Sequence, residues 1–141
     1  MKSDPINKAE FVESIVNQFG TDHSRIIDIY GFTESPIIFG SHWSKKHEDF
    51  IMHCPPYAKV LIRDTKTLEP LKNEGDRGFL EVITPFGTSA SVNHAIVVDD
   101  LVEIVSKSKC SECGYEGAAF RVLGRIDGKE GLGCSSIIKW S

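Results

Sequence analysis

The sequence predicts an α+β fold, in which an N-terminal helix and a short α/β segment precede a mostly antiparallel, β-rich region. Two patterns support this: apolar residues repeat at helical spacing only near the N-terminus, and from Lys59 onward period-two alternation is interrupted by turn residues. With 141 residues, 40% of them hydrophobic, the chain can form one packed domain. We expect a single domain over residues 1–141, with the α/β segment at 1–54 and the β-rich subdomain at 55–141.

The first element is expected to be a helix marked at both ends. Asp4 can cap its first turn, Pro5 suits the first helical position, and the apolar residues between Phe11 and Phe19 share one face. Gly20 is expected to end it.

The rest of the first segment reads as short strands and loops. Residues 25–29 form an apolar run that leads into Tyr30-Gly31-Phe32-Thr33-Glu34, and residues 37–39 form another. Residues 41–49 are polar and show no clear period, so they are expected to form a loop or irregular helix.

Five further strands are expected in the second half, because apolar runs alternate there with turns rich in glycine and polar residues. They lie at residues 60–62, 79–84, 95–98, 101–105 and 120–126.

Composition excludes several classes of protein. Asp and Glu outnumber Lys and Arg by 20 to 16, a balance that argues against nucleic acid as a partner. No apolar run is long enough for a membrane span or a secretion signal, so a cytoplasmic location is expected. In that compartment the four cysteines are interpreted as thiols, metal ligands or nucleophiles.

The segment Tyr30-Gly31-Phe32-Thr33-Glu34 places an aromatic ring, a hydroxyl and a carboxylate at the end of a strand. Ligands often bind at strand ends, and threonine with glutamate suits a phosphate and its Mg²⁺. A turn with a capping threonine and a solvated glutamate is the alternative.

Asp99 and Asp100 follow an apolar run, and Arg125 comes 25 residues after Asp100 in Gly-Arg-Ile-Asp. A carboxylate can accept two hydrogen bonds from a ribose diol, and a guanidinium can assist it. The alternative is a turn acid and a solvated arginine.

The cysteines are candidates for chemistry of two kinds, metal binding and nucleophilic attack. Cys110 and Cys113 form a CxxC pair, which is half of a tetrahedral zinc site that His53 or Cys54 could help complete; two reduced turn cysteines are the alternative. Cys134, flanked by Gly133, is a candidate nucleophile, although such a residue is also common as a small buried side chain.

In this order, the motifs resemble the acyl-adenylate-forming superfamily of acyl-CoA ligases and luciferase-type enzymes. The resemblance implies that Tyr30 stacks on adenine, that Thr33 contacts the α-phosphate and that Glu34 helps to hold Mg²⁺. It further implies that Asp100 binds the ribose of ATP or AMP with the help of Arg125.

From Pro55 onward the sequence is most similar to the bacterial acyl-protein synthetases, the ligases of long-chain fatty acid and luciferin component. Residues 60–64, 78–82, 99–101 and 121–125 support this, followed by Gly133-Cys134-Ser135. The similarity implies that Cys134 accepts the activated acyl group as a thioester. The phenylacetate-CoA ligase branch shares the Tyr-Gly-x-Thr-Glu and Gly-Arg elements and is the alternative family.

The sequence lacks the superfamily's glycine-rich phosphate loop, most of the pocket for the carboxylic acid and the C-terminal lid. The chain is therefore expected to be the C-terminal part of an adenylating enzyme, shaped like that part of its N-domain and inactive alone. A missing N-terminal half or partner chain, a fatty acid substrate and a reductase or acyl-acceptor protein are the expected partners. The alternatives are a fragment of an aryl-CoA ligase, or a non-catalytic module that binds nucleotide or is stabilised by zinc.

Overall fold

The computed structural model describes residues 7–87 and 92–125. The described residues contain one α-helix, one short 3₁₀ helix and seven strands. Their bounds are α1 Lys8–Phe19, the 3₁₀ helix His23–Arg25, β1 Ile29–Gly31, β2 Ile38–Ser44, β3 Asp49–His53, β4 Lys59–Arg63, β5 Arg77–Ile83, β6 Ala95–Ser106 and β7 Ala119–Arg125. No helix among them has the length and apolar content needed to cross a bilayer.

Helix α1 ends where the sequence predicts, but it begins later. Gly20 closes it in the left-handed conformation with φ 59°, which glycine adopts at little cost. The N-cap is Asn7, whose side chain accepts a hydrogen bond from the backbone of Ala9. The expected caps Asp4 and Pro5 lie outside the described residues.

All seven strands belong to one antiparallel sheet in the order β1-β2-β3-β7-β6-β5-β4. Strands β1 to β3 form one meander and β4 to β6 another, and β7 joins them by pairing with both β3 and β6. The β-rich α+β prediction is confirmed. Strands from residues 1–54 and from residues 55–141 share this sheet, so the expected α/β segment contributes antiparallel strands instead.

The loop or irregular helix expected over residues 41–49 is wrong. Most of this stretch belongs to strands β2 and β3, which pair from Gly40 with His53 to Ser44 with Asp49. The polar side chains find partners or burial that sequence periodicity cannot show: Ser44 is fully buried and Lys8 binds Asp49 at 2.6 Å. Residues 25–29 also differ, because a 3₁₀ helix ends at Arg25 and β1 begins only at Ile29.

The two strands expected at 95–98 and 101–105 are one strand, β6, so Asp99 and Asp100 lie within a strand rather than between two. Relative to β5 the register shifts between Phe79 and Glu81, which pair with Leu101 and Val97, so the irregularity includes Asp99 and Asp100. Further shifts relative to β7 fall between Leu101 and Val102 and between Ile104 and Ser106. Such irregularities change which side chains face the core. They explain why the period-two pattern breaks in sequence although the strand continues.

The sheet curls strongly. Strands β1 and β6 are four steps apart in the sheet order, about 19 Å at the usual spacing of about 4.8 Å per strand. Nevertheless, the hydroxyl of Tyr30 on β1 donates a hydrogen bond to Oδ2 of Asp100 on β6 at 2.5 Å. Inside the curl, the buried rings of Phe39 and Phe120 meet edge to face at 5.2 Å, and both contact Tyr30.

An ion network ties β5, β6 and β7 together. The buried carboxylate of Glu103 accepts hydrogen bonds from Arg77 at 2.7 Å and from Arg121 at 3.1 and 3.2 Å. Burial alone would raise the pKa of Glu103, but the hydrogen bonds and charges of Arg121 and Arg77 outweigh it, so its pKa lies below the usual value.

Gly78 on β5 is required by close packing against β4. A Cβ atom at this position would lie 2.0 Å from the backbone oxygen of Arg63, which is far inside van der Waals contact. We expect Gly78→Ala to lower the free energy of unfolding by about 1–3 kcal/mol, because the backbone must shift to accept the methyl group. Gly40→Ala on β2 is the matched control, since no atom lies within 4 Å of its added Cβ, and a change within about 0.5 kcal/mol is expected. Equal urea midpoints for the two variants would contradict the close approach.

Glu103→Gln tests the ion network. Removing the charge is expected to cost about 1.5–3 kcal/mol at pH 7, the usual range for hydrogen bonds to a charged group. Because the pKa of Glu103 is lower in the folded state, its stabilisation is present above the unfolded-state pKa and is lost as the pH falls through the folded-state pKa. Urea unfolding from pH 7 to pH 3 should therefore show a shallower decline for Glu103→Gln than for the wild type. The exposed Glu69→Gln should follow the wild-type curve, and a parallel decline in all three proteins would refute the assignment.

Candidate functional site

The Tyr-Gly-Phe-Thr-Glu motif and the Asp99-Asp100 pair meet at one cavity. It has a volume of about 340 Å³ and lies between the end of β1 and the first half of β6. Residues 31–34 line one side and residues 96–100 line the other. Segments that are far apart in sequence thus form the two walls of one cavity.

Asp100 lines this cavity, and Tyr30, the residue before the first wall, is bonded to it. The Tyr30 ring packs 5.9 Å from Phe39 and 6.3 Å from Phe120, and its hydroxyl binds Asp100. Phe32 adds a further ring at 6.1 Å. Because one face is packed and the hydroxyl is bonded, the ring of Tyr30 has a fixed position.

Asn93, just before β6, holds the loop that follows β1. The side-chain amide of Asn93 donates a hydrogen bond to the backbone oxygen of Glu34 at 3.0 Å. Thr33 and Glu34 are exposed and line the cavity together with Asp99 and Asp100. A hydroxyl and carboxylates around one cavity suit a polyol and a phosphate with its cation.

Arg125 lies directly beside Asp100 in the sheet, as its Cα pairs with that of Asp100 between β6 and β7. Neighbours in this position can interact through their side chains. The side chain of Arg125 is outside the described part of the structure, as is all of Cys134.

A second group of side chains, which could bind a metal ion, lies where the β2–β3 hairpin meets the turn between β6 and β7. It comprises His42, His53, Cys110 and Cys113, whose ligand atoms all lie within 4.8 Å of one another. Nδ1 of His42 is 2.8 Å from Nε2 of His53, and the latter atom is 3.4 Å from Sγ of Cys113. The two imidazole rings stack with their centroids 5.0 Å apart.

The protein surroundings favour the neutral forms of His42, His53 and Cys113 in the absence of a metal. Burial lowers the pKa of His53 to about 4, with the charge of His42 adding to the effect. Burial also lowers the pKa of His42, although Glu112 opposes it, and burial together with Cys110 raises the pKa of the Cys113 thiol. Neutral imidazole is the form that binds a metal, whereas the thiols would release protons on binding.

Cys54 does not join this group. Its thiol points to the backbone oxygens of Ala58 and Pro55, at 3.4 and 3.6 Å, and packs in the main core. Burial raises the pKa of the Cys54 thiol to about 11, against a smaller opposing hydrogen bond from Val60. Of the two sequence candidates beside the CxxC pair, the structure therefore places His53 at the cluster and Cys54 elsewhere.

The family model described as "Acyl-protein synthetase, LuxE" matches residues 1–140. The chain belongs to the acyl-protein synthetase family. This confirms the resemblance identified from the sequence and favours it over the phenylacetate-CoA ligase branch. No curated protein matches the chain.

His42 is the member of the histidine–cysteine cluster that sequence reasoning missed. The histidines have none of the short spacings typical of metal sites, and residues 41–49 were not expected to form strands. In the observed register His42 pairs with Ile51, so His53 is its diagonal neighbour on the same face of the hairpin. His42 could have been identified as a candidate ligand if residues 38–53 had been recognised as a hairpin.

Proposed function

We propose that this chain is the part of an ATP-dependent acyl-protein synthetase that binds the nucleotide and accepts the acyl group. Membership of the acyl-protein synthetase family supports this, and so does the single cavity between residues 31–34 and residues 96–100. The chain would correspond to the C-terminal part of an adenylate-forming N-domain. Its curled antiparallel sheet holds the Tyr-Gly-Phe-Thr-Glu motif next to Asp100, the residue expected to bind the ribose.

Tyr30 and Asp100 would hold the nucleoside. The packed ring of Tyr30 offers a rigid flat surface for adenine, and Gly31 beside it carries no side chain that could block the base. The Asp100 carboxylate would accept hydrogen bonds from the two ribose hydroxyls, and Arg125, its neighbour in the ladder, would assist.

Thr33 and Glu34 would act on the phosphates. The Thr33 hydroxyl can donate a hydrogen bond to an α-phosphate oxygen, and Glu34 can supply a carboxylate oxygen to Mg²⁺. Both residues are exposed to the cavity, and Asn93 binds the backbone of Glu34. Bound Mg²⁺ would offset charge on the phosphates as ATP reacts.

The proposed reaction has two steps. A carboxylate oxygen of the fatty acid forms a bond to the α-phosphorus of ATP, the bond to the departing pyrophosphate breaks, and an acyl-adenylate results. The thiolate of Cys134 then attacks the acyl carbon, AMP leaves, and a thioester forms on the cysteine.

The sequence contains no glycine-rich phosphate loop and too little chain for a complete acyl pocket. We therefore propose that an N-terminal half or a partner chain supplies both. A reductase or another acyl-acceptor protein would receive the acyl group from Cys134. On this basis the 141-residue chain alone is expected to be inactive or nearly so.

Calorimetric titration with AMP tests the nucleotide half-site. We expect weak binding to the wild-type chain and about 10- to 100-fold weaker binding to Asp100→Asn, because hydrogen bonds to a charged group are worth about 1.5–3 kcal/mol. Glu74→Gln removes the same charge from an exposed turn and should bind AMP within twofold of the wild type. Absence of wild-type binding at millimolar AMP would favour a non-catalytic interaction module, and unchanged binding by Asp100→Asn would remove the ribose role.

Mass spectrometry tests the acyl-acceptor cysteine. The chain, combined with the segment or partner that carries the phosphate loop, is incubated with ATP, Mg²⁺ and a long-chain fatty acid. We expect an acyl adduct on Cys134 that hydroxylamine removes, no adduct in Cys134→Ala, and an undiminished adduct in Cys54→Ser. An adduct that persists in Cys134→Ala would disprove the role of this residue.

A further inference from the structure

We propose that His42, His53, Cys110 and Cys113 form a structural zinc site that fastens the β6–β7 turn to the β2–β3 hairpin. It is separate from the nucleotide half-site, since the two groups of residues have no member in common. The proposal does not depend on the acyl transfer reaction.

The ligand atoms of the metal-free cluster lie near the separations that a tetrahedral zinc ion requires. With Zn–N near 2.05 Å and Zn–S near 2.3 Å, ideal edges are about 3.3 Å between two nitrogens, about 3.5 Å between nitrogen and sulfur, and about 3.8 Å between two sulfurs. The observed 3.4 Å between His53 and Cys113 matches its ideal edge, whereas the 2.8 Å between the histidine nitrogens is about 0.5 Å shorter than its own, so zinc would move these two nitrogens apart. Small side-chain movements would bring the four atoms to ideal positions, because all lie within 4.8 Å of one another.

The donor set favours zinc over a hard cation. Two thiolates and two imidazoles are the ligands of many structural zinc sites, whereas Ca²⁺ and Mg²⁺ prefer oxygen. Two thiolates also cancel the charge of Zn²⁺, so the centre would be neutral overall, as suits a position that is only partly exposed to solvent. Four protein ligands leave no open position for substrate, which indicates a structural rather than a catalytic ion.

The turn that carries the cysteines is already shaped for this role. The backbone N–H of Gly114 donates to the oxygen of Cys110 at 2.9 Å, and Gly114 has the left-handed φ of 77°. Cys110 is buried against Ile51 of β3, whereas Cys113 is exposed and leaves a path by which the ion can enter.

Neighbouring residues hold the turn against the hairpin. The hydroxyl of Tyr115 donates to the backbone oxygen of Cys54 at 2.9 Å, and its ring lies 4.6 Å from that of His53. Glu112 accepts a hydrogen bond from the buried Ser44 on β2 at 2.8 Å.

The histidines also lack the partners that structural histidines usually have. Nε2 of His42 and Nδ1 of His53 are buried, and neither has a hydrogen-bond partner among the described residues. Among the described residues, the hydrogen bonds of the two histidine rings are limited to one with each other and one between His53 and Cys113. Hydrogen bonding within the described chain therefore does not explain why two imidazoles converge on two thiols.

Metal analysis of the reduced chain, purified without chelator, is the first test. We expect close to one zinc per chain. The chain from which zinc has been removed should take up one Co²⁺ and develop the absorption of a tetrahedral ion with thiolate ligands. Zinc near zero together with no cobalt spectrum would overturn the proposal, as would a Cys110–Cys113 disulfide that persists in reducing buffer.

Substitutions identify the ligands. Cys113→Ser and His42→Gln should each weaken zinc binding by more than the roughly 10- to 100-fold typical of losing an outer-shell partner. Cys54→Ser and His94→Gln are the matched controls and should keep full zinc content. Equal losses in Cys54→Ser and Cys113→Ser would refute this ligand set, and the wild-type cobalt spectrum gives an answer even if a variant fails to fold.

Removal of zinc tests the structural role. A chelator should lower the melting temperature of the wild type, and re-addition of zinc should restore it, because an ion that binds only the folded state stabilises it. A melting temperature that chelator leaves unchanged in protein shown to contain zinc would overturn the fastening role. AMP binding measured on the same samples separates this result from the nucleotide proposal.

Discussion

Two buried rings, Phe39 on β2 and Phe120 on β7, meet edge to face inside the curled sheet, and the ring of Tyr30 rests on both. Three strands separate β1 from β6 in the sheet, and this aromatic packing stabilises the approach of the end of β1 to β6. The curl thus depends on apolar contacts that carry no chemistry themselves. They determine where the motif residues meet.

The hydrogen bond between Tyr30 and Asp100 links this core to the proposed nucleotide half-site. Tyr30 connects the two: its ring packs against the core, and its hydroxyl binds Asp100, which lines the cavity. The geometry that would bind a nucleoside is therefore set by core packing and by the sheet register that puts Asp100 beside Arg125.

The parts of the fold that could be predicted are those encoded locally. Gly20 ends α1, and the apolar alternation locates β4, β5 and β7, because backbone conformation and burial there follow from a few neighbouring residues. The motif residues could be chosen by their chemistry and order, and family membership bears out the family to which that order pointed.

What could not be predicted depends on partners distant in sequence. Residues 41–49 look like a loop because their polar groups are stabilised by Lys8, Glu112 and the opposing strand. The interruption at Asp99 and Asp100 looks like a turn because the irregular pairing of this part of β6 with β5 cannot be seen in a single strand. His42 was missed for the first of these reasons, since its neighbour His53 is recognised only once the hairpin register is known.

The position of β7 also has a consequence for how the molecule folds. Each three-strand meander can form from neighbouring segments, but they join only when β7 inserts between β3 and β6. Contacts that span such long stretches of chain form slowly, because closing a long loop costs entropy before any contact is gained. Both candidate sites bridge that junction: Tyr30 and Asp100 are 70 residues apart, and His53 and Cys113 are 60 apart. During synthesis, neither site can form until almost all of the described chain has been made. An incomplete chain would therefore contain the early motif residues but could not bring them together with their partners.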